Sequence, residues 1–268
     1  MARPRQASAE PATPWGWAVT GACLGLVASL VVFAPARWLA SAIEQGSESH
    51  VLLKEPRGTV WDGTAQLVLA GGVGSRDAVA LPERLQWRIR PAGLGLATEL
   101  QADCCIPQPW RITLKPGWTG ASVLLADGSS RWPASVLTGL GTPWNTVQPE
   151  GQLTLSTQSL HLNWISNRLL MTGNARLEAT DLSSKLSTLK PMGSYRITLA
   201  STGQAASPTL QLETLDGSLT LSGSGQFVGS RLHFDGTADA APDRVDALSN
   251  LLNIIGRRSG ARSIIKVG

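Results

Sequence analysis

From Val51 to the C-terminus, apolar residues recur at every second position in short runs broken by Gly, Pro, Asn and Asp. That period is the signature of strands with one face buried and one wet, and it excludes a helical bundle for this part of the chain. Leu85, Trp87 and Ile89 alternate with Gln86, Arg88 and Arg90 until Pro91 ends the run, which puts Trp87 on an apolar face and the arginines on a polar one. Leu153 and Leu155, then Leu160, Leu162 and Trp164, repeat the device. So do the segments around Leu177, Ile197, Leu212, Leu221 and Phe234. Asp62-Gly63 and Asp216-Gly217 read as hairpin turns, and Gly223 and Gly225 mark a stretch that bends. Sequential hairpins make the expected fold class mainly β, an antiparallel, meander-like twisted sheet.

Helical patterning is scarce. Leu182–Leu189 (LSSKLSTL) predicts a short helix. Pro242–Ile255 predicts a better one, with Val245, Leu248, Leu251, Leu252 and Ile255 on one face. Pro242 suits its start, Gly256 its C-terminal cap, and Arg257 and Arg258 its negative end. Asp235, Asp239, Asp243 and Asp246 bunch near its start, where acidic side chains favour the helix itself. Two Pro-rich segments interrupt the alternation: Ile106–Trp110, and Pro143–Pro149, a candidate seam between two halves of the sheet. Neither is long enough for a flexible linker, so one continuous sheet is the alternative.

Ahead of the strands, residues 11–36 carry no charge, and Trp15–Phe33 is apolar enough to cross a bilayer. Trp15, Trp17 and Trp38 sit where interfacial Trp residues belong, with Leu24, Leu26, Leu30 and Phe33 facing the acyl chains. A cleaved signal peptide is the competing reading, since Ala34-Pro35-Ala36 and Ala40-Ser41-Ala42 resemble cleavage sites, but the apolar stretch exceeds the usual signal core. The expected organisation is a tail at 1–14, a membrane helix at 15–36, a connecting segment at 37–50 with helical character in Arg37–Glu48, and a β-rich domain at 51–268. Arg3 and Arg5 favour a cytoplasmic tail, so the domain is expected across the membrane.

The net charge of +4 is spread over 268 residues with no basic run longer than Arg257-Arg258, which leaves nucleic-acid binding without an electrostatic footprint. There is no G-x-S-x-G elbow, no phosphate-cradling loop and no paired carboxylates, so no catalytic residue, cofactor or small-molecule substrate is expected. His50, His161 and His233 are isolated, and no metal site is expected. Cys23 lies in the apolar stretch. Cys104 and Cys105 are adjacent and are expected as free or mispaired thiols. Of ten Trp residues, Trp61, Trp87 and Trp164 read as core. Trp110, Trp118, Trp132 and Trp144 stand beside Pro or Gly in loops, positioned to touch a membrane surface or a partner. With few helices to cover it, the apolar face either closes on itself, forms a groove for lipid, or offers an edge for strand addition.

The N-terminal apolar segment, the Gly58-Thr59-Val60-Trp61-Asp62-Gly63 opening, the Leu85-x-Trp87-x-Ile89-x-Pro91 strand and the ending from Leu251 through Gly256-Arg257-Arg258-Ser259-Gly260 to Ile265 resemble the type II secretion system protein N family. The resemblance implies an inner-membrane accessory subunit, with no enzymatic activity, of the machine that exports folded proteins through an outer-membrane secretin. Its partners would be the secretin or the inner-membrane platform, with membrane lipid around the anchor. The hairpin pattern is also similar to the AsmA-like proteins, anchored periplasmic sheets associated with lipid traffic. Arg257, Arg258 and Arg262 are the candidate contacts for a partner or for anionic headgroups.

Overall fold

A computed structural model describes residues 15–118, 120–165, 168–201, 207–228 and 231–268. The tail at 1–14, with Arg3 and Arg5, lies outside the described residues. The chain divides into two compact units, Met1–Ala34 and Pro35–Gly268. In the first, helix α1 (Trp15–Val32) is 18 residues long and exposed throughout. At 1.5 Å per residue it reaches about 27 Å, close to the hydrocarbon thickness of a bilayer.

The second unit begins with helix α2 (Ala36–Gly46). There follow β1 (Val51–Gly58), β2 (Asp62–Ala70), β3 (Ala78–Ala92), β4 (Gly95–Ala102), β5 (Ile106–Gly117), β6 (Gly120–Leu125) and β7 (Gly128–Pro133). A 3-10 segment (Ala134–Leu140) and the single turn of α3 (Trp144–Val147) then lead to β8 (Pro149–Ile165), β9 (Arg168–Ser184), β10 (Gly193–Ser201) and β11 (Thr209–Gly217). The chain closes with β12 (Leu219–Val228), β13 (Arg231–Ala240), a 3-10 turn (Pro242–Arg244), α4 (Val245–Ile255), β14 (Arg257–Ser259) and β15 (Arg262–Val267). Among the described residues these strands form one 15-stranded sheet in which almost every strand pairs antiparallel with its neighbour in sequence. β8 is long enough to pair with β7 through its first half and β6 through its second. A bulge at Gln158–His161 marks the change of partner, where Asp127 accepts the Ser159 backbone N–H at 2.6 Å.

The alternation fixes which face is buried. Leu85, Trp87 and Ile89 are buried while Gln86, Arg88 and Arg90 are exposed. Ala36 and Ala40 of α2 lie on this face together with Leu53, Ala65, Leu81, Trp110 and Val136. Small alanines let the helix approach the strands closely. In the second half, Leu248, Leu251 and Leu252 of α4 pack on Met192, Tyr195, Leu219 and Ala238, and a small cluster of Ala134, Leu153 and Ala179 lies between. The opposite face is polar and carries cross-strand ion pairs: Arg196 bonds Glu178 at 2.8 Å and Glu213 at 2.9 Å, and Arg111 bonds Glu99 at 2.6 Å. The Arg111 guanidinium holds the Glu99 carboxyl below its usual range. Asp235 and Asp239 pair with Lys266 and Arg262 rather than serving α4.

Five sequence expectations are corrected. The segment Leu182–Leu189 is not helical. β9 runs to Ser184, and the hydroxyls of Ser184 and Ser187 then accept the Leu186 and Leu189 backbone N–H groups, each at 3.1 Å. These serines compete with the helix for its own donors. The first hairpin reverses at Thr59–Trp61 rather than at Asp62-Gly63, which already belongs to β2. Ile106–Trp110 is not a break but the start of β5, with a bulge opposite Leu100–Ala102 where the prolines supply no ladder donors. Gly223 and Gly225 lie in an unbroken ladder; Gly223 makes room for the Phe234 ring, whose Cζ would be 2.4 Å from a Cβ there, and a Cβ at Gly225 would stand 2.7 Å from the His233 carbonyl. Cys104 and Cys105 are joined to each other in a disulfide. Around Pro143–Pro149 the chain leaves the sheet through α3, and β6 and β8 on either side of the excursion pair directly.

The single Tyr shows how the second core is closed. Tyr195 is buried and its hydroxyl donates to the Leu219 carbonyl at 3.0 Å, and burial pushes its pKa well above the ordinary tyrosine value. The unfolded chain therefore ionises first, so stability is intact below about pH 10 and falls as pH rises beyond it. Tyr195→Phe should flatten that alkaline decline in urea titrations run at several pH values. At neutral pH the substitution should cost about 1 kcal/mol, because the Leu219 carbonyl loses its donor.

Candidate functional site

Two sequence motifs prove to be one structural device. Gly58 adopts φ +87°, and Thr59 N–H donates to the Asp62 carbonyl at 2.9 Å, so the β1–β2 reversal is tight. Trp87, 3% exposed, lies against Gly63, where a Cβ would stand 2.5 Å from its Cζ2. Its indole N–H donates to the Val60 carbonyl at 3.0 Å, Ile89 N–H donates to the Trp61 carbonyl at 2.6 Å, and Arg88 pairs with Asp62 at 3.0 Å. The Gly58–Gly63 opening and the Trp87 strand thus form a lock between β1–β2 and β3, which is a folding role.

The C-terminal motif is a second clasp. Helix α4 ends with unsatisfied carbonyls, as every helix does. Ser263, fully buried, donates its hydroxyl to the Leu252 carbonyl at 2.5 Å, and Arg258 Nη1 donates to the Ser249 carbonyl at 3.0 Å. Gly256 is extended rather than left-handed, so the helix passes straight into β14 instead of ending on a glycine cap. The three candidate contact arginines are not brought together as one patch of free charge. Arg258 is held by α4 and by the Gly260 carbonyl, Arg262 pairs with Asp239 at 2.6 Å, and Arg257 is exposed on β14.

Among the described residues no three His, Cys, Asp or Glu side chains form a metal-binding group. A polar cleft near the β2–β3 loop includes Asp77, Asn145, Glu150 and Lys185. Its carboxylates are engaged: Asp77 accepts from Asn145 at 2.8 Å, and Lys190, 2.9 Å from Glu150, holds that carboxyl below its usual range.

The distinctive surface is the part of the apolar face that is only partly covered. Strand partners face the same way, so registry gives a row from Pro91 through Leu96, Leu114, Val123 and Leu162 to Met171 across β3, β4, β5, β6, β8 and β9. A parallel row, Ala175, Leu199, Leu210, Gly225, Phe234 and Val267, continues across β9 to β15. Neighbouring strands are about 4.8 Å apart, so each row crosses roughly 24 Å of sheet. These rows lie toward the hairpins at Gly93-Leu94, Gly117-Trp118 and Val228, beside the clusters beneath α2 and α4: Leu96 packs against the first cluster and Met171 and Phe234 are buried, whereas Leu114 and Val267 are exposed.

The Trp residues divide differently from expectation. Trp87 is core and Trp61 packs at its edge, but Trp164, on the uncovered part of the apolar face, is 43% exposed. Trp110 is buried in β5 with its N–H on the Ala126 carbonyl at 2.9 Å, Trp132 packs partly buried on the core, Trp144 is half-exposed, and Trp118 is fully exposed at a hairpin tip. Of the anchor residues, Trp15, Trp17, Leu24, Leu26 and Leu30 are exposed on α1, Phe33 is exposed just after it, and Trp38 is exposed on α2. Sequence reading passed over Leu94, Ile165 and Val228. The available signal was an apolar residue at the point of reversal, most plainly in Gly93-Leu94-Gly95.

These features define a β-meander scaffold, preceded by a helix long and apolar enough to cross a membrane, whose prominent surface is an open sheet face. Residues 49–265 match the family described as type II secretion system (T2SS), protein N, and the chain belongs to that family. Membership ties it to protein secretion and implies association with other type II secretion components. No curated protein and no solved structure matches it.

Proposed function

We propose that this protein is a non-enzymatic accessory subunit of the type II secretion system, held in the bacterial inner membrane by Trp15–Val32. In this reading the tail at 1–14 is cytoplasmic and the sheet domain is periplasmic, where it contributes to export of folded proteins across the outer membrane. The observation that carries the reading is the family match over residues 49–265, which includes both the Gly58–Trp87 lock and the α4–β15 clasp. The partner is the secretin or the inner-membrane platform, and exposed Arg257 on β14 is one contact available to it. Deleting the gene should leave exoproteins accumulating in the periplasm while the outer membrane still excludes a bulky dye. Unchanged export would overturn the reading.

A second reading, an AsmA-like lipid-binding module, is favoured by the part of the apolar face, at Leu114 and Trp164, that stays exposed beyond α2 and α4. It predicts phospholipid bound to the purified protein and a leaky outer membrane with normal export in the deletion strain.

A further inference from the structure

On one side of the sheet, several hairpins carry an exposed apolar residue at or beside the reversal. Leu94, 95% exposed, forms the tip between β3 and β4, and Trp118 that between β5 and β6. Ile165 and Trp164 close β8, and Val228 closes β12. Tips are where polar turn residues are ordinarily found, because a reversal exposes its side chains to water. Three hairpins adjacent in the sheet, β3–β4, β5–β6 and β8–β9, and beyond them β12–β13, each leave an apolar side chain exposed at or beside the reversal, which makes a fringe with no core to join.

The charge nearest these tips is positive. The sequence stretches 90–97, 113–123, 161–172, 199–211 and 225–234 contain no Asp or Glu, and Arg90, Lys115 and Arg231 stand exposed within four residues of a tip, while the carboxylates next along the strands, Glu99 and Asp235, are paired with Arg111 and Lys266. The other end of the sheet mixes both signs, as in Arg76, Asp77, Glu150, Lys185 and Lys190. Trp and Leu at projecting positions, flanked by cations, match an anionic phospholipid surface: apolar tips enter the acyl boundary and cations meet the phosphates. The partly exposed apolar rows begin directly behind these tips, at Leu96, Leu114 and Leu162.

From this geometry we infer that the hairpin-tip end of the sheet, through Leu94, Trp118, Trp164, Ile165 and Val228 with Arg90, Lys115 and Arg231, docks on an anionic phospholipid bilayer. This contact is separate from the α1 segment and does not depend on the secretion reading, because it is measured with lipid alone.

The test uses the full chain carrying Cys23→Ser, held in phosphatidylcholine nanodiscs, with an environment-sensitive fluorophore on Leu94→Cys or, as control, on Val73→Cys. Val73 is 86% exposed in the loop at the other end of β3, so neither site disturbs the core. Vesicles of phosphatidylcholine containing one part in three phosphatidylglycerol should brighten and blue-shift the probe at 94 and leave that at 73 unchanged. Pure phosphatidylcholine vesicles should do much less. Combined Arg90→Glu, Lys115→Glu and Arg231→Glu should raise the vesicle concentration at half-signal about fivefold or more per cation, and Trp118→Ser should weaken binding without changing its dependence on phosphatidylglycerol. No response at 94, an equal response at both sites, or indifference to the charge reversals would each overturn the inference. In the first case a protein partner would be left as the occupant.

Discussion

Trp87→Ala should lower the stability of the sheet domain by about 3–5 kcal/mol, the usual cost of truncating a large aromatic in a filled core. The size follows from position: the ring is 3% exposed and belongs to the cluster that also holds Ala36, Ala65, Leu85 and Trp110. Its N–H also satisfies the Val60 carbonyl at the β1–β2 reversal, so the substitution removes a polar contact together with the packing. Trp87→Phe should therefore cost less, about 1–2 kcal/mol, mainly through the orphaned carbonyl. Gly63→Ala tests the other side of the lock, because its Cβ would stand 2.5 Å from the Trp87 ring, 2.7 Å from the Arg57 carbonyl and 2.9 Å from the Thr59 carbonyl. Removing the ring relieves one of three clashes, so the Trp87→Ala and Gly63→Ala penalties should be sub-additive in a double-mutant cycle read by urea denaturation. Additive penalties would mean that ring and glycine do not share the load.

That lock shows what the sequence made legible. The alternation around Trp87 reports a half-buried strand and its inward face, because the period of two is a property of the backbone and needs no knowledge of partners. The amphipathic stripe of α4 was legible for the same reason. Long-range neighbours escaped local reading. Asp62-Gly63 looks like a turn until the ring of residue 87 explains why position 63 has no side chain. Trp110 reads as a loop residue because two prolines flank Gln108, yet those prolines fall where a bulge has already interrupted pairing with β4. The serines at 184 and 187 fit a helix by spacing, although their hydroxyls cap the backbone of a turn held against α4, where Ser187 donates to the Ala247 carbonyl at 2.9 Å. The exposed tips were illegible for a related reason: alternation predicts which face a residue takes, but not whether anything covers that face.

Leu252→Ala should produce a comparable loss at the far end of the chain, about 2–5 kcal/mol, set by how far the surrounding side chains collapse into the gap. Leu252 is fully buried, and with Leu248 and Leu251 it forms the buried centre of the face, edged by Ile255, by which α4 covers Tyr195, Leu219 and Ala238. The same residue's carbonyl accepts the buried Ser263 hydroxyl, so side chain and backbone act on different neighbours. Ser263→Ala leaves that carbonyl without its donor and should cost about 1–3 kcal/mol. Each substitution loosens α4 from β15, so the second should cost less once the first is present. Hydrogen exchange should locate the effect: amides of α4, β14 and β15 lose protection while those of β2 and β3, which surround Trp87, keep theirs. Loss of protection throughout the sheet would instead mean that the two apolar clusters fold as one cooperative unit, and that covering the second half is a condition for the first to form.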